Sequence, residues 1–324
     1  MGHLKGHKRG SLAFRPRKRA STLMPRISSW AHTDAPCVLG FAGYKAGMTS
    51  VSSIDDSTAP SKGLEISSAA TVLEVPPMTV YGYRAYLEGY GGKRALADVV
   101  AQDEKILKQI GYTKAPNGTA AIEKHMDQLT DFSLLAFANP ETTSTGAKKP
   151  VRMELGVGGK SAKEKYDYCK SVLGKQLRVS DVFKDGEFVD VVAVTTGKGW
   201  QGAVKRLGVG LQRRKATNKR RHVGTLGPWH PAKVMYTAPM AGQMGFHTRT
   251  EYNKRILKMG SEPKDVIPAG GFLHYGVLKN DYVILKGSVA GPAKRFVRLR
   301  KAVRIHTPVK KPEIKFISLR SKQG

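Results

Sequence analysis

Gly197-Lys198-Gly199-Trp200-Gln201-Gly202 matches the G-x-G-x-x-G spacing that lets backbone amides approach a pyrophosphate, and it follows the apolar run Phe188 to Thr195. Dinucleotide binding also needs a helix after the turn and an acid about 20 residues on for the ribose hydroxyls. That region reads Thr217-Asn218-Lys219-Arg220-Arg221-His222, with no carboxylate and no helical pattern before it. A P-loop fits no better, because Gly199 follows Lys198 where Ser or Thr is required and Val192 stands in place of the leading Gly. His222, His230 and His247 could move protons or bind zinc, but no neighbouring carboxylate orients them and their spacing matches no zinc pattern. Cys169 shares a helical face with Tyr166 and Leu173, which makes it core rather than nucleophile. Cys37 and Cys169 give no ligand repeat and no disulfide framework, so both are expected as free thiols in a reducing compartment. The chain has no G-x-S-x-G elbow and no H-E-x-x-H pair. Enzyme chemistry is therefore unsupported, and no cofactor is expected beyond structural Mg2+ or monovalent ions.

What the residues do support is polyanion binding. Between Asp190 and Glu251 there is no acid, while Lys198, Lys205, Arg206, Arg213, Arg214, Lys215, Lys219, Arg220, Arg221, Lys233 and Arg249 fall in the same stretch. Such a segment cannot neutralise itself. Trp200, Trp229, Tyr236, Phe246 and Tyr252 are interleaved with these cations, as a surface that tracks phosphates and stacks unpaired bases requires. Of the 324 residues 55 are Lys or Arg and 25 are Asp or Glu, a formal charge of +30 that points to a nucleic-acid partner. The excess is localised. Residues 1–33 hold eight basic residues and no acid, and residues 286–324 hold twelve against Glu313 alone, whereas residues 81–190 balance 17 against 15. No stretch approaches the roughly 20 apolar residues of a membrane span, so no membrane role is expected. Ten phosphate contacts would give a log–log salt slope of roughly −7 to −9, and the acid-free loop would order only on the RNA.

The elements that must position these residues are mostly strands. Residues 1–36 predict an extended basic arm, punctuated by Gly and Pro, in which Phe14 and Trp30 favour packing onto something. Short strands are predicted at Val38 to Thr49, Ala70 to Val75 and Thr79 to Tyr81, with Pro76-Pro77 at an edge or corner. A helix is predicted from Leu96, Val99, Val100, Ile106, Leu107 and Ile110, stopped by Gly111, and a second from Thr119 to Leu129. The third carries a capping box at Ser161 and Glu164 and ends at Gly174. Strands return at Phe188 to Thr195, as a hairpin of Tyr275 to Leu278 and Tyr282 to Leu285 around Asn280-Asp281, and at Arg295 to Val303. The fold class expected is mainly β with an α+β insertion: a barrel or sandwich over 37–80 and 186–305, an α-rich inserted domain over 81–185, an extension over 197–258, and a basic tail over 306–324.

Seven segments resemble the L-three family of universal large-subunit ribosomal proteins in its archaeal and eukaryotic form. They are Arg15-Pro16-Arg17-Lys18-Arg19, Gly40 to Thr49, Glu74-Val75-Pro76-Pro77-Met78, Gly197 to Gly202, Gly227-Pro228-Trp229-His230-Pro231-Ala232, Gly245 to Thr250 and Lys286 to Pro292. The resemblance spans nearly the whole length and is weakest over 81–185. It implies a translation-protein-type β-barrel with two rRNA-penetrating extensions, and a tryptophan finger at Trp229 near the peptidyl transferase centre. It also implies an early role in subunit assembly, an influence on tRNA entry and elongation-factor binding, a place in the cytoplasmic large subunit beside other ribosomal proteins, and no homo-oligomer. The residues expected to meet rRNA are Lys8, Arg9, Arg15, Arg17, Lys18 and Arg19 in the arm, and Lys45. From the central stretch they are its cations named above with Trp200, Gln201, His222, Trp229, His230 and His247, followed by Lys254 and Arg255. Two rivals stand beside this reading: an RNA-modifying enzyme, which requires a small-molecule cofactor, and a chromatin-like protein, which prefers duplex DNA.

Overall fold

Apolar alternation and β-branched runs dominate the chain, and strands follow from them. The computed structural model describes residues 13–216, 219–304 and 309–321. Among these the strands are β1 (Gly40–Ile54), β2 (Glu65–Glu74), β3 (Met78–Gly89), β4 (Gly92–Val100), β5 (Leu129–Ala138), β6 (Val151–Gly156) and β7 (Gln176–Leu177). They continue as β8 (Phe188–Val194), β9 (Trp200–Gln201), β10 (Gly242–Gln243), β11 (Thr248–Gly260), β12 (Tyr282–Lys286), β13 (Phe296–Lys301) and β14 (Ile314–Ile317). The α-helices are α1 (Glu104–Ile110), α2 (Thr119–Lys124), α3 (Ala162–Val172) and α4 (Ala203–Leu207). Internal contacts divide the chain into two units, one of Met1–Thr22 with Val194–Arg249 and one of Leu23–Ala193 with Thr250–Gly324.

In the larger unit β1 is shared. One edge pairs with β2 from Tyr44↔Glu74 to Ile54↔Glu65, and the other pairs first with β13 and then, at Val51–Ser53, with β14. Pairing runs on from β2 through β12, β11 and β8 to β13, so it returns to β1. Phe41, Leu73, Val191, Ile284, Val297 and Leu299 are fully or almost fully buried among these strands. A second antiparallel sheet has the order β4-β3-β5-β6, with β7 on β3. Tyr166 of α3 packs edge-on to Tyr83 at 5.9 Å and against Phe132 at 5.6 Å, and Cys169 beside it is fully buried, its thiol pushed up to about 12 by burial. Both cysteines are free thiols.

Several sequence expectations need correction. Leu96, Val99 and Val100 lie on β4, and the helix starts only at Glu104, because Asp103 caps it by accepting from the Lys105 amide at 2.9 Å. Gly111 does stop it, in the left-handed conformation at φ 80°. The helix at Thr119 ends at Lys124, and Leu129 opens β5. Residues 81–185 are thus built on a sheet rather than being α-rich. Ser161 caps α3 by accepting from the Glu164 amide at 3.2 Å, but the Glu164 carboxylate accepts from the Lys160 amide rather than closing a box. Tyr275 to Leu278 is not a hairpin strand. The buried carboxylate of Glu74 draws that segment in, accepting from the Lys279 amide at 2.8 Å, the Asn280 amide at 3.0 Å, the Asn280 side chain at 2.8 Å and the Tyr275 hydroxyl. The tail carries β14, which sequence reasoning missed.

The segment after Leu23 is bound to this unit by buried arginines. Arg298 donates to the carbonyls of Pro25, at 3.1 Å, and Glu154, with its guanidinium 5.8 Å from the Trp30 ring. Arg300, on the same face of β13, bonds Asp190 and the carbonyl and hydroxyl of Ser29. A Cβ on Gly156 would come within 2.5 Å of Trp30, so only glycine admits that ring. Trp30 therefore packs as its sequence context predicts.

Glu74→Gln replaces a buried carboxylate that accepts four hydrogen bonds by an amide with one acceptor oxygen and a donor, so it should cost about 3 kcal/mol. Urea unfolding of the full chain, showing a lower midpoint at constant slope, is the measurement.

Candidate nucleic-acid interface

Neither Met1–Thr22 nor Val194–Arg249 contains Asp or Glu, so every ionised side chain of the smaller unit is a cation. With no carboxylate at hand, its cations are positioned by carbonyl oxygens and aromatic rings. β9 and β10 pair through Trp200↔Gln243 and Gln201↔Gly242. Arg206, on α4, fastens this ribbon by donating to the carbonyls of Gln243 at 3.0 Å and Met240 at 2.9 Å. The chain returns through Gly245 at φ 69°, where a Cβ would meet the Thr196 carbonyl oxygen at 2.0 Å.

The arm is held along its backbone. The Ala20 amide donates to the Phe246 carbonyl at 2.8 Å. His247 is buried, and its Nδ1 lies 3.0 Å from the Lys18 carbonyl, which can only accept, so Nδ1 carries the proton. Arg249 donates to the carbonyls of Pro16 at 2.9 Å and Phe14 at 3.3 Å. The Arg15 guanidinium lies 4.8 Å from the Tyr236 ring centre and that of Arg19 5.8 Å from Phe246. Arg17 is depressed by burial and by the like charges of Arg206, Arg15 and Arg249, and Arg249 by burial.

Outward from this frame stand Arg15, Lys18, Arg19, Lys198, Lys205, Arg213, Arg214, Lys215, Lys219, Arg220, Arg221 and Lys233, all exposed. Trp229 is 89% exposed and Trp200 76%, values that rule out a core role within this chain. His230 meets Trp229 edge-on at 6.5 Å. His222 turns its ring onto the Lys219 carbonyl, and the Gln201 side chain donates to the Lys198 carbonyl at 2.6 Å. Lys8 and Arg9 lie outside the described residues.

Three expected RNA-binding residues fall in the larger unit and are engaged there. The Lys45 ammonium donates to the carbonyls of Val289 and Gly291 at 2.5 and 2.8 Å. Lys254 pairs with Glu251 at 2.9 Å. Arg255 grips both carboxylate oxygens of Asp56 at 2.6 Å and bonds the Lys310 carbonyl. Sequence reasoning also grouped Arg206, His247 and Arg249 with the outward cations, whereas all three hold backbone. The only advance signal was their position beside glycines and at a strand start, where carbonyls need donors.

The G-x-G-x-x-G turn does not lead into a dinucleotide fold. β8 pairs antiparallel with β13, and Gly202 starts a helix of only five residues. Among the described residues no cluster of three or more His, Cys, Asp or Glu is placed to hold a metal, and no helix is long and apolar enough to cross a membrane.

A family model described as Ribosomal protein L3 matches residues 1–324. The chain is 47% identical to the large ribosomal subunit protein uL3 of Methanothermobacter thermautotrophicus, over 98% of each chain. It is 47% identical to the uL3 of Methanococcus vannielii and 46% identical to that of Methanocaldococcus jannaschii, each over 98% of this chain and 97% of the relative.

If His247 and Arg249 fix the arm, the double variant His247→Ala/Arg249→Ala should release it. Trypsin cleavage after Arg17, Lys18 or Arg19, followed by mass spectrometry, should then accelerate severalfold, while urea unfolding of the larger unit stays unchanged.

Proposed function

The chain belongs to the ribosomal protein L3 family, and we propose that it is a structural constituent of the large ribosomal subunit that binds large-subunit rRNA and carries out no catalysis. The observation that carries this reading is the smaller unit: exposed cations and tryptophans on a frame without a single carboxylate. Cations neutralise phosphates and release their counterions, and aromatic planes take up unstacked bases. Affinity then comes mainly from charge, and placement from the folded unit.

In this reading the strands over 37–80 and 186–305 act as a translation-protein-type β-barrel, with 81–185 inserted into it. Residues 1–36 and 197–258 are the penetrating extensions, and 306–324 is a basic C-terminal segment. Trp229 is the tip of a finger directed toward the peptidyl transferase centre, where it influences tRNA accommodation and elongation-factor binding. Binding is early in subunit assembly, in the cytoplasm, with neighbouring ribosomal proteins as further partners. The exposure of Trp229 and its acid-free surroundings support this role.

Sedimentation of the endogenous protein through sucrose after a high-salt wash tests the reading. Stoichiometric migration with the large subunit is expected, and recovery near the top of the gradient would overturn it. On free rRNA, Arg213→Gln/Arg214→Gln/Lys215→Gln should flatten the log–log salt slope by roughly 2 to 3, at about 0.7–0.9 for each phosphate left without its cation. Trp229→Ala should leave the thermal unfolding of the free chain within about 0.5 kcal/mol of the parent, as for other exposed sites. Translation by ribosomes carrying that variant should nevertheless change.

A further inference from the structure

One cleft in the smaller unit has walls of two different kinds. Arg15, Arg17 and Lys18 of the arm and Arg206 of α4 line it together with Met235, Tyr236 and Met240, around a volume of about 880 Å³. The cleft is open to solvent on one side, and its volume falls in the roughly 300–1,000 Å³ range of small-molecule clefts. The cationic wall is built rather than incidental. Arg206 is oriented by the carbonyls of Gln243 and Met240, and Arg249 holds the arm by the carbonyls of Pro16 and Phe14, so one guanidinium and the backbone that carries the others are set in place before any ligand arrives. Burial and then the like charges of Arg206, Arg15 and Arg249 depress Arg17, and no acid lies in either segment. The rest of the lining offers Tyr236, 74% exposed with Arg15 near its ring, and two polarizable methionine side chains.

A continuous RNA helix presents phosphates but keeps its bases stacked inside, so it would satisfy the first wall and leave the second empty. A solitary anion would do the same. A nucleotide turned out of its helix satisfies both, with its phosphate among the guanidiniums and its base against Tyr236, Arg15 and the methionines. We propose that this cleft is a subsite for one extruded, unpaired nucleotide of the bound RNA. The proposal rests on the rRNA-binding reading and adds to it a place where a single base is read out of the helix.

The test is zero-length ultraviolet cross-linking of the full chain to large-subunit rRNA, nuclease digestion, and mass mapping of the nucleotide adducts. Such cross-links need direct contact between base and side chain. A mononucleotide adduct within residues 233–240, centred on Tyr236, is expected. Tyr236→Ala should reduce it at least tenfold, while Arg15, Arg17 and Arg206 keep the salt slope of binding unchanged. If RNA is retained and adducts form on Trp200 or Trp229 but not on 233–240, the subsite is wrong and the RNA reading stands. If the Tyr236→Ala variant keeps the adduct in 233–240, Tyr236 is not the stacking wall and the proposal falls as stated. If no RNA is retained at low salt, the RNA reading itself fails and takes the subsite with it.

Discussion

A charge with no counter-charge in its own folded unit is the constraint from which this structure follows. The larger unit pairs most of its buried or half-buried guanidiniums with acids: Arg84 with Asp98 and Glu154, Arg255 with Asp56, Arg300 with Asp190. The smaller unit has no acid to use and turns to carbonyl oxygens and ring faces instead. A hydrogen bond from a charged donor to a neutral carbonyl contributes about 1.5–3 kcal/mol toward fixing the side chain, yet leaves its charge in place. The outcome is a surface whose geometry is set internally and whose field is not, as a partner covered in phosphates requires.

Arg298 shows how the two regimes meet within the larger unit. It is buried like a core residue, but its partners are the carbonyls of Pro25 and Glu154 and the face of Trp30, and burial lowers its guanidinium to about 10. Two residues on, Arg300 adds Asp190 as a true counter-ion. Together they tie a stretch without helix or strand, residues 25–30, to a strand of the principal sheet. A segment of such composition would otherwise have little reason to hold one conformation.

Much of this was legible in the sequence wherever one signal dominated. The absence of acids between Asp190 and Glu251, the strands after Cys37, the Gly111 stop and the Ser161 cap needed no tertiary information. The failures share a cause. Leu96, Val99 and Val100 suit a helical stripe as well as a pleated strand, and only pairing with β3 decides between them. Tyr275 to Leu278 looks like a strand until the Glu74 carboxylate, more than two hundred positions away, claims its donors. For Arg206, His247, Arg249 and Lys45, composition cannot show that each also holds a backbone carbonyl of its own chain. Nor does composition show that Ile314 to Ile317 complete an edge of β1.

The placement of β1 also governs how this chain can be made. Gly40 pairs with Arg300 and Ser53 with Ile314, so once β1 has left the exit tunnel one of its edges is occupied only after the distant β13 and β14 have followed it. At roughly 5–20 residues per second, that leaves a backbone edge open for on the order of ten seconds or more. Loop closure over such a span is slow and depends on contacts far apart in sequence. The nascent chain therefore carries an unpaired strand edge and a large positive charge through the same interval.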